Sequence, residues 1–212
     1  KYRELVEPLP YSETTKAYLA AAIEADRMLQ TLLDGLERAG ELDNTLIVAC
    51  ADHIPYFNVD TLEELSGERF GSSEDMERLD ERNVNFDVYR SALILWAAGM
   101  EEPVVVDKPC GQVDILPTVS NLLGLEYDSR MLAGSDLLSG APGLVIFSSR
   151  SWLTDRGFYD RYTQTFTPAE GEDMTPEEQT AYVDAMKRTV QYKLGCTEKI
   201  LNTDFYRLAF GD

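Results

Sequence analysis

Asp52 and His53 stand side by side where an apolar run ends, in the stretch NTLIVACADHIPYF (44–57), and His53 is the only histidine of the chain. Adjacent positions thus offer a carboxylate oxygen and an imidazole nitrogen. That mixed donor pair suits Mn²⁺ or Zn²⁺ better than Ca²⁺, which prefers all-oxygen shells. Within a strand, neighbouring side chains point to opposite faces. Past a strand end the chain can bend, and both side chains can converge on one point in a shared hollow. Two ligands alone do not complete a metal site. The structural alternative is that Asp52 caps the next turn and His53 is a hydrogen-bonded loop residue.

The elements that must position this pair are legible on either side of it. Residues 12–40 read as one helix, with Tyr18, Ala22, Ala25, Leu29, Leu32 and Leu36 as an apolar stripe and Gly40 just past its end. Asp43-Asn44 turns the chain into TLIVACA, a continuous apolar run. Such a run predicts a parallel strand covered on both faces, with Cys50 as a small core residue. In open α/β sheets, sites form beyond the carboxyl ends of such strands. That is the position of Asp52 and His53.

Residues 58–88 form a polar, acidic excursion in which Asp60 with Glu63, and Ser73 with Met76, mark helix starts. SALILWAAG (91–99) reads as a second buried strand. VDILPTVSNLLG reads as a helix that Asp114 caps and Gly124 ends, with Pro117 tolerable in its first turn. GLVIFSSR (143–150) is a third strand, and residues 151–168 alternate and turn like an antiparallel meander. Thr175, Pro176 and Glu178 combine a cap, a first-turn proline and a capping box, so a helix starts there. Gly195 breaks or ends it, and the tail is partly helical.

The order of elements predicts α/β layers around a mixed sheet. The first helix would cross between parallel strands, yet no strand precedes it. The chain also opens KYRELVEPLPYS without an initiator Met. Both features predict a domain incomplete at its N-terminus. The expected division is one catalytic-type domain over 1–212, with an α/β part (1–142), a meander (143–174) and a C-terminal helical segment (175–212).

Composition narrows the partners. Nineteen Lys and Arg against 38 Asp and Glu give a net charge of −19. That charge repels phosphate backbones and anionic lipid surfaces, so no nucleic-acid partner is expected. A phosphate ester can still bind where a metal ion reverses the local sign. Cys50, Cys110 and Cys196 are too scattered for a zinc ribbon or a redox pair.

The segment YLAAAIEADRMLQTLLDGLERAGELDNTLIVACADH resembles the part of the alkaline phosphatase–sulfatase superfamily that leads into its paired Asp-His metal ligands. GQVDILPTVSNLLGL and AGSDLLSG resemble later segments of the same superfamily. VIFSSRSWLTDRGFYD is similar to the branch containing lipoteichoic acid synthases and related phosphoglycerol transferases. Ile54-Pro55 follows Asp-His where most sulfatases have Gly, which also favours that branch.

The resemblance implies an alkaline-phosphatase-like layered α/β sandwich and one divalent metal, Mn²⁺ first, with Mg²⁺, Zn²⁺ or Ca²⁺ as alternatives. Asp52 and His53 are the ligands that map onto this chain. The family's metal-binding Glu, its nucleophilic Thr and the histidines that grip the phosphate lie upstream, so no catalytic residue is assigned here and the piece alone is expected to be inactive. The implied reaction moves glycerophosphate from phosphatidylglycerol to a glycerol hydroxyl of a glycolipid or polymer acceptor. Its setting is the extracytoplasmic face of a bacterial membrane, through a membrane-anchored parent. A sulfatase or related ester hydrolase remains an alternative, although no cysteine lies in C-x-P-x-R. A non-catalytic α/β module is the third.

Several residues carry plainer readings. Asp26 supports packing or a polar contact, and Arg90 forms a surface ion pair or contacts a phosphate. Trp152 and the aromatics of RGFYDRYTQTF pack the meander or else shape a lipid-polymer groove. An exposed sheet edge would allow self-association.

Overall fold

The computed structural model describes residues 1–54, 57–69 and 90–211. They fall into two compact units, Lys1–Pro103 and Val104–Asp212. The expected helix start at Ser73–Met76 and most of the acidic excursion lie outside the described residues.

The first unit holds α1 (Arg3–Val6), α2 (Glu13–Ala39), β1 (Leu46–Cys50), α3 (Val59–Ser66) and β2 (Leu93–Ala97). Both ends of α2 follow from local chemistry. The Ser12 hydroxyl accepts the Thr15 N–H, and Gly40 closes the helix in the left-handed region at φ 71°, a conformation glycine adopts without a Cβ clash. A short 3₁₀ turn over Leu42–Asn44 then feeds β1.

Helix α3 packs on the start of α2 through a polar hub. Thr15 and Thr61 are fully buried, and the Thr15 hydroxyl donates to Thr61 Oγ1 at 3.2 Å. The Glu64 carboxylate accepts the Ser12 N–H at 3.0 Å and the Ser12 hydroxyl at 3.0 Å. Asn58, not Asp60, caps α3, its side chain accepting the Thr61 N–H at 2.9 Å. Asn ranks with Asp as an N-cap, so the start lies two residues earlier than the Asp60–Glu63 pair suggests.

Strands β1 and β2 pair antiparallel, Leu46 opposite Ala97 and Cys50 opposite Leu93. The α/β class stands, but this pairing is antiparallel where the apolar run predicted a parallel neighbour. Continuous apolarity reports the wish for cover on both faces and is blind to strand direction. Nor is the run covered in this unit: Val48 and Ile94 are exposed, and so is Cys50, against its expected place in a core. On α2, Tyr18, Leu29 and Leu32 of the apolar stripe are likewise exposed. Tyr18 meets Phe57 edge-on, with ring centroids 4.4 Å apart.

The second unit contains α4 (Ile115–Leu122), the antiparallel meander β3 (Val145–Ile146), β4 (Trp152–Thr154), β5 (Gly157–Asp160) and β6 (Thr165–Pro168), then α5 (Pro176–Asn202) and α6 (Phe205–Phe210). The meander carries the core: Trp152, Tyr159 and Val190 of α5 are buried together, with Phe166, Tyr182 and Met186 packed around them. The Trp152 and Tyr159 rings stack at 5.3 Å. These aromatics are therefore packing residues. Burying a ring the size of Trp152 removes about 200 Å² from water, worth about 5 kcal/mol before entropy is counted.

The start of α5 follows its sequence signals. Thr175 accepts the Glu178 N–H, Glu178 accepts the Thr175 N–H, and Pro176 fills the first turn. Gly195 does not end the helix, which continues to Asn202. An interior glycine costs about 1 kcal/mol, which a 27-residue helix packed on a sheet absorbs.

Asp114 departs from its expected role as the cap of α4. It is buried, and its two carboxylate oxygens accept the Gly111 N–H at 2.8 Å and the Ser135 N–H at 2.7 Å. It thereby ties the turn before α4 to the loop after it. The Thr118 hydroxyl extends this hub, donating to the Asp114 carbonyl and accepting the Leu137 N–H.

Candidate metal centre

Strand β1 ends at Cys50, and the chain bends over Asp52 and His53. Asp52 Oδ1 lies 3.5 Å from His53 Nε2. The bend is what permits this, since strand alternation would set adjacent side chains on opposite faces.

His53 is oriented by its own loop. Its Nδ1 lies 2.7 Å from the Ile54 carbonyl oxygen. A carbonyl can only accept, so Nδ1 carries the proton. In the neutral imidazole the lone pair is then on Nε2, the nitrogen that faces Asp52. Histidines that bind metals are commonly held this way, with the second ring N–H on a carbonyl or carboxylate.

The spacing also suits a shared ion. Two ligands on one tetrahedral ion with bonds of about 2.1 Å stand roughly 3.4 Å apart. An octahedral ion with bonds of similar length sets neighbouring ligands roughly 3.0 Å apart. Asp52 and His53 match the first spacing and need a small closure for the second.

Both side chains face solvent rather than a hollow: Asp52 is 90% exposed and His53 53%. Among the described residues, no cluster of three or more His, Cys, Asp or Glu is placed to hold a metal. By itself the pair would supply only part of an ion's shell. Asp26 and Arg90 are exposed, and no ion pair of either is found among the described residues. Sequence reasoning missed the Ile54 carbonyl, because a backbone acceptor carries no residue-type signal.

A sequence model of the sulfatase family matches residues 3–125, more than half of the chain and inclusive of Asp52 and His53. The chain belongs to the sulfatase family. It is similar to the lipoteichoic acid synthase-like protein YvgJ of Bacillus subtilis, with 27% identity over 201 residues, covering 93% of this chain and 31% of that protein. It is also similar to the lipoteichoic acid synthase of Staphylococcus aureus, with 24% identity over 197 residues, covering 92% of this chain and 28% of that protein. This sulfatase-family chain therefore spans less than a third of the length of these relatives. The crystal structure of the lipoteichoic acid synthase LtaP from Listeria monocytogenes shares its fold, with a TM-score of 0.59 at 22% identity, over 88% of this chain and 46% of that one. The alkaline-phosphatase-like α/β architecture expected from the sequence is thus present. Among the described residues, no helix is long and apolar enough to cross a membrane.

Proposed function

We propose that this chain is part of a metal-dependent phosphoglycerol transferase acting at the extracytoplasmic face of a bacterial membrane, with Asp52 and His53 as two ligands of its divalent ion, Mn²⁺ first. The observation that carries the reading is the oriented pair: Oδ1 and Nε2 at 3.5 Å, with Nδ1–H held by Ile54. It lies inside the segment matched by the sulfatase family.

The bound ion would lower the pKa of a nucleophile and neutralise charge growing on the phosphate oxygens. Asp52 supplies anionic charge, and His53 supplies a neutral, pre-aimed nitrogen. Neither acts as a base. The transfer has two displacements at phosphorus. A threonine oxygen bonds to the phosphorus of phosphatidylglycerol as the bond to diacylglycerol breaks, and the released oxygen takes the proton. A glycerol hydroxyl of the acceptor then displaces the threonine oxygen. The resemblance assigns no such threonine within these 212 residues, so they alone are expected to be inactive. Glycolipid or polymer acceptors and the lipid-linked donor are the partners.

The test is release of diacylglycerol from labelled phosphatidylglycerol by the whole protein carrying this chain. Asp52→Ala and His53→Ala should each abolish it while leaving the protein folded. The family match favours a second reading, sulfuric ester hydrolysis. Turnover of an aryl sulfate in place of phosphatidylglycerol would select it, and turnover of neither would leave a non-catalytic module.

A further inference from the structure

The second unit contains a cavity of about 630 Å³, within the size range of small-molecule sites. Three basic residues line it: Lys108, Arg150 and Lys193. In a chain with twice as many acidic as basic residues, that grouping is unexpected. None of the three forms an ion pair among the described residues. Lys108 Nζ instead donates to the carbonyls of Ser139 at 3.0 Å and Ala141 at 2.9 Å, and Lys193 Nζ donates to the Ala133 carbonyl at 2.5 Å. Carbonyl dipoles fix an ammonium in place without cancelling its charge, and an ammonium has three donors. One N–H of Lys108 and two of Lys193 remain to be used.

Arg150 sits at the tip of the β3–β4 hairpin with φ 69°. Its backbone N–H is fixed on the Phe147 carbonyl at 2.9 Å.

Two carboxylates also line the cavity, Asp114 and Asp136; neutral N–H donors hold both in place and leave their charge, so the lining carries three positive charges against two negative. Asp114 accepts the Gly111 and Ser135 N–H groups, and Asp136 accepts the Asn121 side chain at 2.8 Å and the Leu138 N–H at 2.9 Å. The remaining wall is largely apolar, with Val145, Ile146 and Leu194 among it.

We propose that this cavity binds an organic phosphate. Its anionic oxygens meet Lys108, Arg150 and Lys193, and its carbon skeleton lies along the apolar wall. Three cations suit a group with three acceptor oxygens, and charge-assisted bonds of this kind are roughly twice as strong as neutral ones. The site uses neither Asp52 nor His53, so it stands apart from the metal reading. The phosphate could belong to a lipid headgroup or to a soluble ester.

The test is a calorimetric titration of the 212-residue chain in EDTA, which silences any metal-centred site. The probes are sn-glycerol 3-phosphate and dihexanoyl phosphatidylglycerol below its micelle concentration, with glycerol as the uncharged control. The expected result is saturable binding of at least one phosphate probe, none of glycerol, and weakening as salt rises. Arg150→Gln should reduce the affinity about tenfold. This variant removes no hydrogen bond of the Arg150 side chain among the described residues and should leave the circular dichroism unchanged. Lys193→Gln should act in the same direction. Tighter binding of the lipid identifies a headgroup site, and equal binding a soluble ester site. Absence of saturable binding, or affinity unchanged in folded Arg150→Gln and Lys193→Gln, would overturn the proposal.

Discussion

Asp52 Oδ1 faces His53 Nε2 at 3.5 Å, while the opposite nitrogen of the ring, Nδ1, is held on the Ile54 carbonyl at 2.7 Å. The second contact sets the meaning of the first. With a proton on Nδ1, the neutral form of the ring has its lone pair on Nε2, the nitrogen nearer the carboxylate. In the proposed function, that nitrogen and Asp52 Oδ1 would both serve as donors to the divalent ion.

The tautomer is directly observable. Because His53 is the only histidine, ¹⁵N NMR of the chain should show one imidazole without overlap. At pH 8 the spectrum should show Nδ1 protonated and Nε2 bare. Adding Zn²⁺ should move the Nε2 resonance and leave Nδ1 of the protonated type. The opposite tautomer would remove the orienting role of Ile54.

The Asp114 hub is expected to dominate the stability of its unit. Asp114→Ala leaves the Gly111 and Ser135 N–H groups without their acceptor. Each donor left without a partner costs about 1–3 kcal/mol, so about 2–6 kcal/mol should be lost in total. Urea unfolding followed by Trp fluorescence measures it. A loss below about 1 kcal/mol would mean that water or a local shift replaces the carboxylate.

Stability should also fall at acid pH through Glu64. The neighbouring Thr15 hydroxyl and the hydrogen bonds from Ser12 hold its carboxyl below the ordinary carboxylate range. A group whose pKa is depressed in the folded state stabilises above its unfolded value, near 4.5, and that contribution is lost as pH falls through the lower, folded value. Glu178 shifts the same way through Thr175. Glu64→Gln should therefore flatten the fall in unfolding midpoint between pH 5 and 3 relative to wild type. An unchanged slope would remove Glu64 as a cause.

What the sequence disclosed, and what it hid, divides along the range of the interactions. The ends of α2 and the start of α5 were legible because Ser12, Gly40, Thr175, Pro176 and Glu178 act on backbone groups within a few residues. The strands were legible as apolar runs, but the antiparallel register of β1 and β2 was not, since side-chain composition does not encode direction. Asp114 looked like a cap from its position before a helix. Its partner Ser135 lies 21 residues on, beyond any local pattern. The geometry of the Asp52–His53 pair was half legible. Residue types named Asp52 and His53, while the carbonyl that aims the ring, and the openness of both side chains to solvent, needed coordinates.

Asp52 and His53 are expected to hold a divalent cation together with ligands outside these 212 residues, and the check is a Mn²⁺ titration of the whole protein carrying this chain, followed by electron paramagnetic resonance. Saturable loss of the free Mn²⁺ signal is expected in the wild type, weakened at least about tenfold by either Asp52→Ala or His53→Ala. Identical Mn²⁺ binding by wild type and both folded variants would contradict it.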